Sequence, residues 1–267
     1  MRSTAALFER LAPRYDELWT DTPVGRAQRD AVWRVTDDLF REGDRVLDLG
    51  CGTGEDAAHL MGRGIAVRAV DASPAMVAQA RARGVDAEVL RAEELGNYVW
   101  QPILAAGGLS GRQAGWKDCL QARVPATRCS SFDGAISNFG ALNCVQDLAA
   151  VARALGALVR PGGHAAIVTM GRFCAWETLY YGARCNFRKA FRRISGRAGD
   201  IYYPTVGQIR ADFDADFELV HWTGIGMLVP PSYVNLPASV VRLLARLDRL
   251  PLLRAWADHR LLVFKRK

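Results

Sequence analysis

The sequence predicts an α/β fold in which a mostly parallel sheet carries helices on both faces, and three observations carry that reading. The apolar run Val46-Leu47-Asp48-Leu49 ends in glycines at 50, 52 and 54 and passes at once into helix-compatible residues from Glu55 through Leu60. This reads as strand, tight turn, helix. A second apolar run, Ala66–Val70, ends at Asp71 and is followed by Ser73-Pro74, a helix start with an N-cap and a proline in the first turn. The same alternation of apolar strand and amphipathic helix then recurs down the chain, the pattern of a sheet built from crossover units.

The glycine turn is the centre of the reading. Glycine accepts φ > 0, and without a Cβ it lets backbone amides close on a ligand. The spacing is Gly50-x-Gly52-x-Gly54, which differs from the G-x-G-x-x-G of a dinucleotide site. Asp48 stands on the strand just before the turn. An acid there suits a ligand bearing an ammonium group better than one bearing two phosphates. That moves the expectation from NAD towards an amino-acid-like nucleoside. Asp71 lies seventeen residues beyond Gly54 at the end of the next strand, where an acid accepts ribose hydroxyls. Its other reading is a neighbour of the N-cap Ser73.

The string Asp48-Leu49-Gly50-Cys51-Gly52-Thr53-Gly54 resembles motif I of the class I S-adenosylmethionine-dependent methyltransferases. Phe8–Asp16 resembles the opening of small-molecule members, Phe132–Asn143 resembles motif IV, and the Pro161-Gly162-Gly163 turn also matches. The resemblance covers roughly residues 5–95 and 132–170, and is weak across 97–131 and 171–259. It implies a Rossmann-like, seven-stranded, mostly parallel sheet whose last strand, Leu261–Arg266, runs antiparallel beside a sixth at Phe217–Thr223. It implies S-adenosylmethionine as methyl donor, S-adenosylhomocysteine as product, and no metal. Cofactor contacts are then expected from Asp48, Gly50, Gly52, Gly54 and Asp71, with Ala72 and Met76 flanking the adenine. Asn138, Phe139 and Asn143, at the fourth strand's exit, are expected to line the methyl-transfer site, with core packing as the other reading of Phe139. Tyr15 is expected over the methionine part, and for Tyr15 and Trp19 packing of a helix on the sheet edge stands beside that reading. Family members commonly have an acid just before the alanine at 92. Here Arg91 holds that place, so either Glu93 or main-chain groups around Ala92 take the adenine contact.

The remaining elements follow in order. Residues 4–19 read as a short amphipathic helix ending in Phe8, Tyr15 and Trp19, and residues 25–41 as a second with Ala27, Val32, Val35 and Leu39 on one side. The third strand is Ala87–Leu90, the fourth with its exit loop spans Phe132–Asn143, and the fifth is Ala165–Met170 after a turn at 160–164. Helices are expected at Leu148–Val159, Val206–Phe213 and about 238–248, the last with a basic stripe of Arg242, Arg246 and Arg249. One methyltransferase domain spans 1–267, with a helical cover at 1–41. Three insertions, 97–131, 171–204 and 224–259, are expected to form helical caps over the substrate. The first spends thirty-five residues where about ten suffice, and a short helix is expected near 116–122. The second is aromatic and basic, with Trp176 and Tyr180 on one helix face.

Composition bounds the function. The chain has 267 residues, half of them hydrophobic, and a formal net charge of +7. The basic excess reads as a solvated surface, with nucleic acid or an anionic membrane surface as the sharper alternative. Six cysteines without a C-x-x-C pair and four scattered histidines point to neither zinc nor a disulfide framework. No apolar stretch is long enough to span a bilayer, and the N-terminus lacks a signal-type core, so a cytoplasmic enzyme is expected. Oligomeric state is not legible.

The expected reaction is methyl transfer to an N or O atom of a small, aromatic or apolar metabolite of natural-product type. Methylation of a quinone or lipid precursor at a membrane surface, or of RNA, is the alternative. A base is needed where the acceptor is a hydroxyl or protonated amine, and Tyr15, Asn143, Tyr181 and His221 are the candidates, as base or orienter, with a satisfied surface histidine the stronger reading of His221. A dehydrogenase is opposed by the glycine spacing and Asp48. A vestigial fold that binds only nucleic acid or membrane is opposed by the intact Gly50, Gly52, Gly54 and Asp71.

Overall fold

The computed structural model describes residues 4–97, 132–231, 234, 236–248 and 256–267. The 97–131 insertion and its expected helix lie, beyond residue 97, outside the described residues. Seven strands form the main sheet: β1 (Arg45–Leu49), β2 (Ala66–Asp71), β3 (Asp86–Val89), β4 (Phe132–Ser137), β5 (Val159–Met170), β8 (Phe217–Ile225) and β9 (His259–Arg266). Their order is β3-β2-β1-β4-β5-β9-β8. The pairs among β1 to β5 are parallel, and β9 runs antiparallel to both β5 and β8. The expected mostly parallel sheet with its last strand reversed is therefore the observed one. Strand order reverses between β1 and β4, and the crevice at the carboxyl ends of those strands is where such sheets bind ligands.

Period-two alternation divides the core. Leu47 and Leu49 of β1 face one side with Phe132, Leu155, Ile167, Phe213 and Phe264. Val46 faces the other with Val67, Ala69, Ile136 and Val263, under helices that supply Val32, Ala57, Leu60 and Val77. Those helices are α2 (Pro23–Leu39), α3 (Glu55–Gly62) and α4 (Pro74–Ala82), while α5 (Leu148–Leu158) and α8 (Val206–Phe213) cover the first face. Two clean faces of this kind are what strands buried on both sides require.

Three elements depart from expectation. The N-terminal helix is not continuous to residue 19. α1 (Thr4–Leu11) gives way to a 3-10 turn at Ala12–Arg14 and a π-helical turn at Asp16–Thr20. Pro13 sits in the break, where its missing N–H cannot continue the helical ladder. β5 begins at Val159, six residues before Ala165, and the register against β4 shifts between Phe132 and Gly134. Gly162 has φ +78°, and a Cβ on Gly163 would lie 2.5 Å from the Asp133 carbonyl oxygen, so the glycine pair forms an irregularity within the strand. A two-stranded ribbon, β6 (Arg197–Ala198) with β7 (Ile201–Tyr202), was not foreseen.

The segment after β5 carries α6 (Ala175–Gly182) and α7 (Phe187–Ala190). A buried ion-pair cluster mounts it on the sheet. Arg193 bonds Glu177 at 2.6 Å and Asp258, next to β9, at 2.8 Å. The stretch 224–259 turns through Gly226 and Leu228 into α9 (Ala238–Leu247), which packs Val241 and Leu244 on Val24 and Ala27 of α2.

Candidate functional site

The carboxyl ends of β1, β2 and β4 and the N-terminal segment enclose a cavity of about 640 Å³, within the size range of small-molecule sites. Its floor is the glycine turn. Gly50, Gly52 and Gly54 have φ of +77°, +55° and +81°. A Cβ on Gly50 would meet the Ala141 Cβ at 2.2 Å, so glycine is required there both for its dihedral and for its missing side chain.

Asp71 closes one wall. Its Oδ2 accepts the Gly52 amide at 2.9 Å and its Oδ1 accepts the Ser73 amide at 2.8 Å. Burial raises its carboxyl above the ordinary range, while those amides pull the other way. Each oxygen has acceptor capacity beyond its single amide. Ala72, Met76, Ala92 and Glu93 continue the wall. Arg91 also lines the cavity and lies 3.8 Å from Glu93, so the two candidate features at this turn face each other.

Asp48 is 1% exposed and lies behind the turn, not on the wall. Its Oδ2 has no hydrogen-bond partner among the described residues. Burial, with Asp56 and Asp71 nearby, raises its carboxyl well above the ordinary value. An uncompensated buried acid is costly, and it is a feature that a ligand's ammonium group would offset.

The opposite wall is aromatic. Phe8, Tyr15 and Trp19 come from the N-terminal segment and Phe139 from the exit of β4. Phe139 has φ +49°, a conformation that costs a non-glycine residue energy and clusters at functional sites. Its ring meets Trp19 edge-on at 4.6 Å and His259 at 5.5 Å. The Arg29 guanidinium lies 4.8 Å from the Trp19 ring centroid and 5.2 Å from that of Phe139. Arg29 also pairs with Asp56, whose other oxygen accepts the Trp33 indole N–H at 2.7 Å. Tyr15 stands beside Trp19 at 5.9 Å. Burial pushes its phenol up to about 12, so near neutral pH Tyr15 is a hydrogen-bond donor and not a base.

The structure sorts the expected site residues. Tyr15, Gly50, Gly52, Asp71, Ala72, Met76, Ala92, Glu93, Asn138 and Phe139 line the cavity. Gly54 instead caps α3 in the left-handed conformation, shaping the turn from behind. Three of the four candidates for acid–base or orienting work lie elsewhere. Asn143 is 0% exposed. Its amide donates to the Met170 and Tyr202 carbonyls at 3.2 and 2.6 Å and accepts the Met170 N–H at 2.8 Å. It is fully engaged in holding β7 and the end of β5. Tyr181 is on α6 under Lys189, 5.3 Å from its ring, and is off the cavity wall. His221 is exposed on the edge strand β8. Trp176 turns from the cavity and donates to the Leu228 carbonyl at 3.1 Å. Of the 171–204 insertion, only Asp200 lines it.

Sequence reasoning missed Arg29, Asp56 and the anchor of the N-terminal cover. Asp16 accepts from Thr53 at 2.7 Å and pairs with Arg83, while Glu9 accepts from Ser73 at 2.5 Å. The only local signal was that Thr53 and Ser73 are hydroxyls beside ligand-shaped turns.

A family model described as a methyltransferase domain matches residues 7–215. The chain is 39% identical over 85 residues to a demethylmenaquinone methyltransferase from Beutenbergia cavernae, covering 31% of this chain and 34% of that one. It is 31% identical over 169 residues to a 2-phytyl-1,4-naphtoquinone methyltransferase from Synechococcus elongatus, covering 62% and 63%. These alignments thus span about a third and under two thirds of the relatives' own lengths. Among solved structures, the N-methyltransferase NodS from Bradyrhizobium japonicum, in complex with S-adenosyl-l-homocysteine, shares the fold with a TM-score of 0.58. It is 13% identical, with 100% of this chain and 99% of that one covered. With the domain match running through the glycine turn, Asp71 and the β4 exit, this chain belongs to the methyltransferase-domain family, in its class I, S-adenosylmethionine-dependent form.

Proposed function

We propose that the protein moves a methyl group from S-adenosylmethionine to an N or O atom of a small, flat or apolar acceptor. The observation that carries this is the pairing of two unlike walls on one cavity: the glycine turn with Asp71, and the aromatic set of Tyr15, Trp19 and Phe139. The names of the curated relatives, which are quinone methyltransferases, support an acceptor of that shape.

The residues present fit the cofactor. Asp71 accepts ribose hydroxyls, the Gly50–Gly52 backbone allows close approach, and Asp48, its Oδ2 unpartnered among the described residues, stands beneath the turn where a bound ammonium group would favour its charged form. When bound, S-adenosylmethionine supplies a methyl group on a sulfonium whose positive charge disappears as the new bond forms. The chain's task is alignment: well-oriented reactants reach effective molarities of about 10⁵–10⁸ M. Phe139 and Trp19 form a face against which a flat acceptor stacks. Tyr15, held protonated, donates to an acceptor or carboxylate oxygen and orients it. Arg29, braced by Asp56, holds anionic groups at the same mouth.

Calorimetric titration with S-adenosylhomocysteine tests the reading. Binding at one site, weakened by about 1–3 kcal/mol in Asp71→Ala, supports it. Binding of NADH in place of S-adenosylhomocysteine would sink it. Transfer from tritiated donor to naphthoquinol and phenol panels then tests the acceptor class.

A further inference from the structure

The exposed apolar side chains are not spread evenly. One group lies on α6, α7 and the turn after them: Leu179 is 67% exposed, and Phe187, Phe191 and Ile194 are also exposed. A second lies on α9, where Val240, Leu243 and Leu247 share one face at helical spacing, while Val241 and Leu244 pack inward. Trp256, 54% exposed, follows. Large exposed apolar groups gathered at one place mark an interaction surface.

The two groups are mounted together. The Leu228 carbonyl accepts from Trp176 of α6, and the Leu228 amide donates to Asp248, which caps α9, at 2.7 Å. Trp256 meets Phe173, just before α6, at 5.9 Å. Both groups therefore join the sheet beside the end of β5 and the start of β9.

Cations flank both groups. Arg184, Arg188 and Lys189 border the α6–α7 group, and Arg242 and Arg246 lie one turn apart on α9, along a groove to α2 that Asp21 and Asp30 also line. Arg188, Lys189, Arg242 and Arg246 make no ion pair with a described acid. Among the described residues, no helix is long and apolar enough to cross a membrane. Apolar side chains beside cations that make no ion pair with a described acid, on short exposed helices, fit the interface of an anionic bilayer. A nucleic acid would match the cations but not the aliphatic tips.

We propose that the α6–α7 hairpin and α9 form a docking surface for anionic phospholipid bilayers. The leucines and phenylalanines enter the headgroup boundary, and the arginines and lysine meet lipid phosphates. The proposal stands apart from the methyl-transfer reading, because it concerns only the outer faces of α6, α7 and α9.

Flotation of the full chain with phosphatidylcholine vesicles, with and without phosphatidylglycerol, tests it. The wild type is expected to float with the anionic vesicles, less so as salt is added, and to stay behind with pure phosphatidylcholine. Arg188→Gln with Lys189→Gln should weaken binding about fivefold per charge removed, the equivalent of about 1 kcal/mol each. Leu243→Ser with Leu247→Ser should abolish it, and Met61→Ser, on α3, should leave it unchanged. Thermal melting confirms that each variant is folded. A folded wild type that floats with neither vesicle, or two double variants that float as well as the wild type, overturns the surface. So does retention of single-stranded RNA in place of anionic vesicles. None of these outcomes bears on S-adenosylhomocysteine binding, which is read separately.

Discussion

The Thr53 hydroxyl, inside the glycine turn, donates to Asp16 Oδ1 at 2.7 Å, from the π-helical turn thirty-seven residues earlier. Arg83 pairs with the other Asp16 oxygen, and also with Glu55 at 2.9 Å. The segment that carries Tyr15 and Trp19 is thereby latched to the loop that forms the cavity floor.

Removing the latch should loosen the cover without unfolding the sheet. Asp16→Ala is expected to weaken S-adenosylhomocysteine binding by about 1–2 kcal/mol, the scale of charge-assisted hydrogen bonds in a part-exposed place. Limited proteolysis should cut faster before residue 22. Burial opposes ionisation of Asp16, but Thr53, Thr20 and Arg83 outweigh it and hold the carboxyl below its ordinary value. Its contribution is therefore present above the unfolded pKa near 4 and is lost as pH falls through the lower folded value. Unchanged affinity and unchanged cleavage would show that the latch is idle.

Asp48→Asn should separate stability from binding. The buried carboxyl, its Oδ2 unpartnered among the described residues, destabilises the ligand-free fold, and its raised pKa makes that cost grow as pH rises from the unfolded value towards the folded one. The amide variant should melt at a higher temperature near neutral pH and bind S-adenosylhomocysteine more weakly. This is the trade expected where function keeps a strained group. A lower melting temperature would contradict the account.

Tyr15 gives an alkaline prediction. With its phenol at about 12 in the fold and near 10 unfolded, the unfolded chain loses that proton first. Stability should therefore fall as pH rises from about 10 to 12. Tyr15→Phe should lessen the fall, seen in denaturant midpoints across that range. The same variant should lower kcat without removing any limb of the pH–rate profile between pH 6 and 9, because Tyr15 does not titrate there. Loss of such a limb would make it a base after all.

Asn143→Leu tests a placement. The variant strands the Met170 amide and two carbonyls in a buried place, at about 1–3 kcal/mol for each unsatisfied group. It should unfold at lower denaturant while, at temperatures where it is folded, S-adenosylhomocysteine affinity stays within about twofold. A stable variant with lost turnover would return Asn143 to the acceptor site.

Gly50→Ala combines a positive φ with a 2.2 Å approach to the Ala141 Cβ. It is expected to cost about 1–3 kcal/mol through strain and to abolish measurable cofactor binding. Gly62→Ala, in α3 with open space around its Cβ, should leave both unchanged.

The half of the site closest to the backbone was legible beforehand. Gly50, Gly52 and Asp71 are read from local pattern, because a strand, a tight turn and a helix start each leave a mark within a few residues. Arg29 left none. On its own it is one cation on an amphipathic helix, and its meaning comes from Asp56 on α3 and from the rings of Trp19 and Phe139. Asn143 shows the converse: motif position suggested chemistry, and its three hydrogen bonds to Met170 and Tyr202 assign it to holding the fold. Trp176 and Tyr181 have the composition of a substrate cap, yet the Leu228 carbonyl and Lys189 engage them outside the cavity.

Sequence alone marked the individual strands and the glycine turn, because hydrophobic period, glycine and proline act over short distances along the chain, and the resemblance of its motifs implied the seven-stranded sheet with its last strand reversed. Tertiary structure alone decided which helices and side chains look into the cavity. That choice depends on the break at Pro13, on the Thr53–Asp16 latch and on the Arg193 cluster that mounts α6 and α7 on the sheet. Each joins residues far apart in the chain, and the free energy that selects among such contacts exists only once the sheet has brought them together.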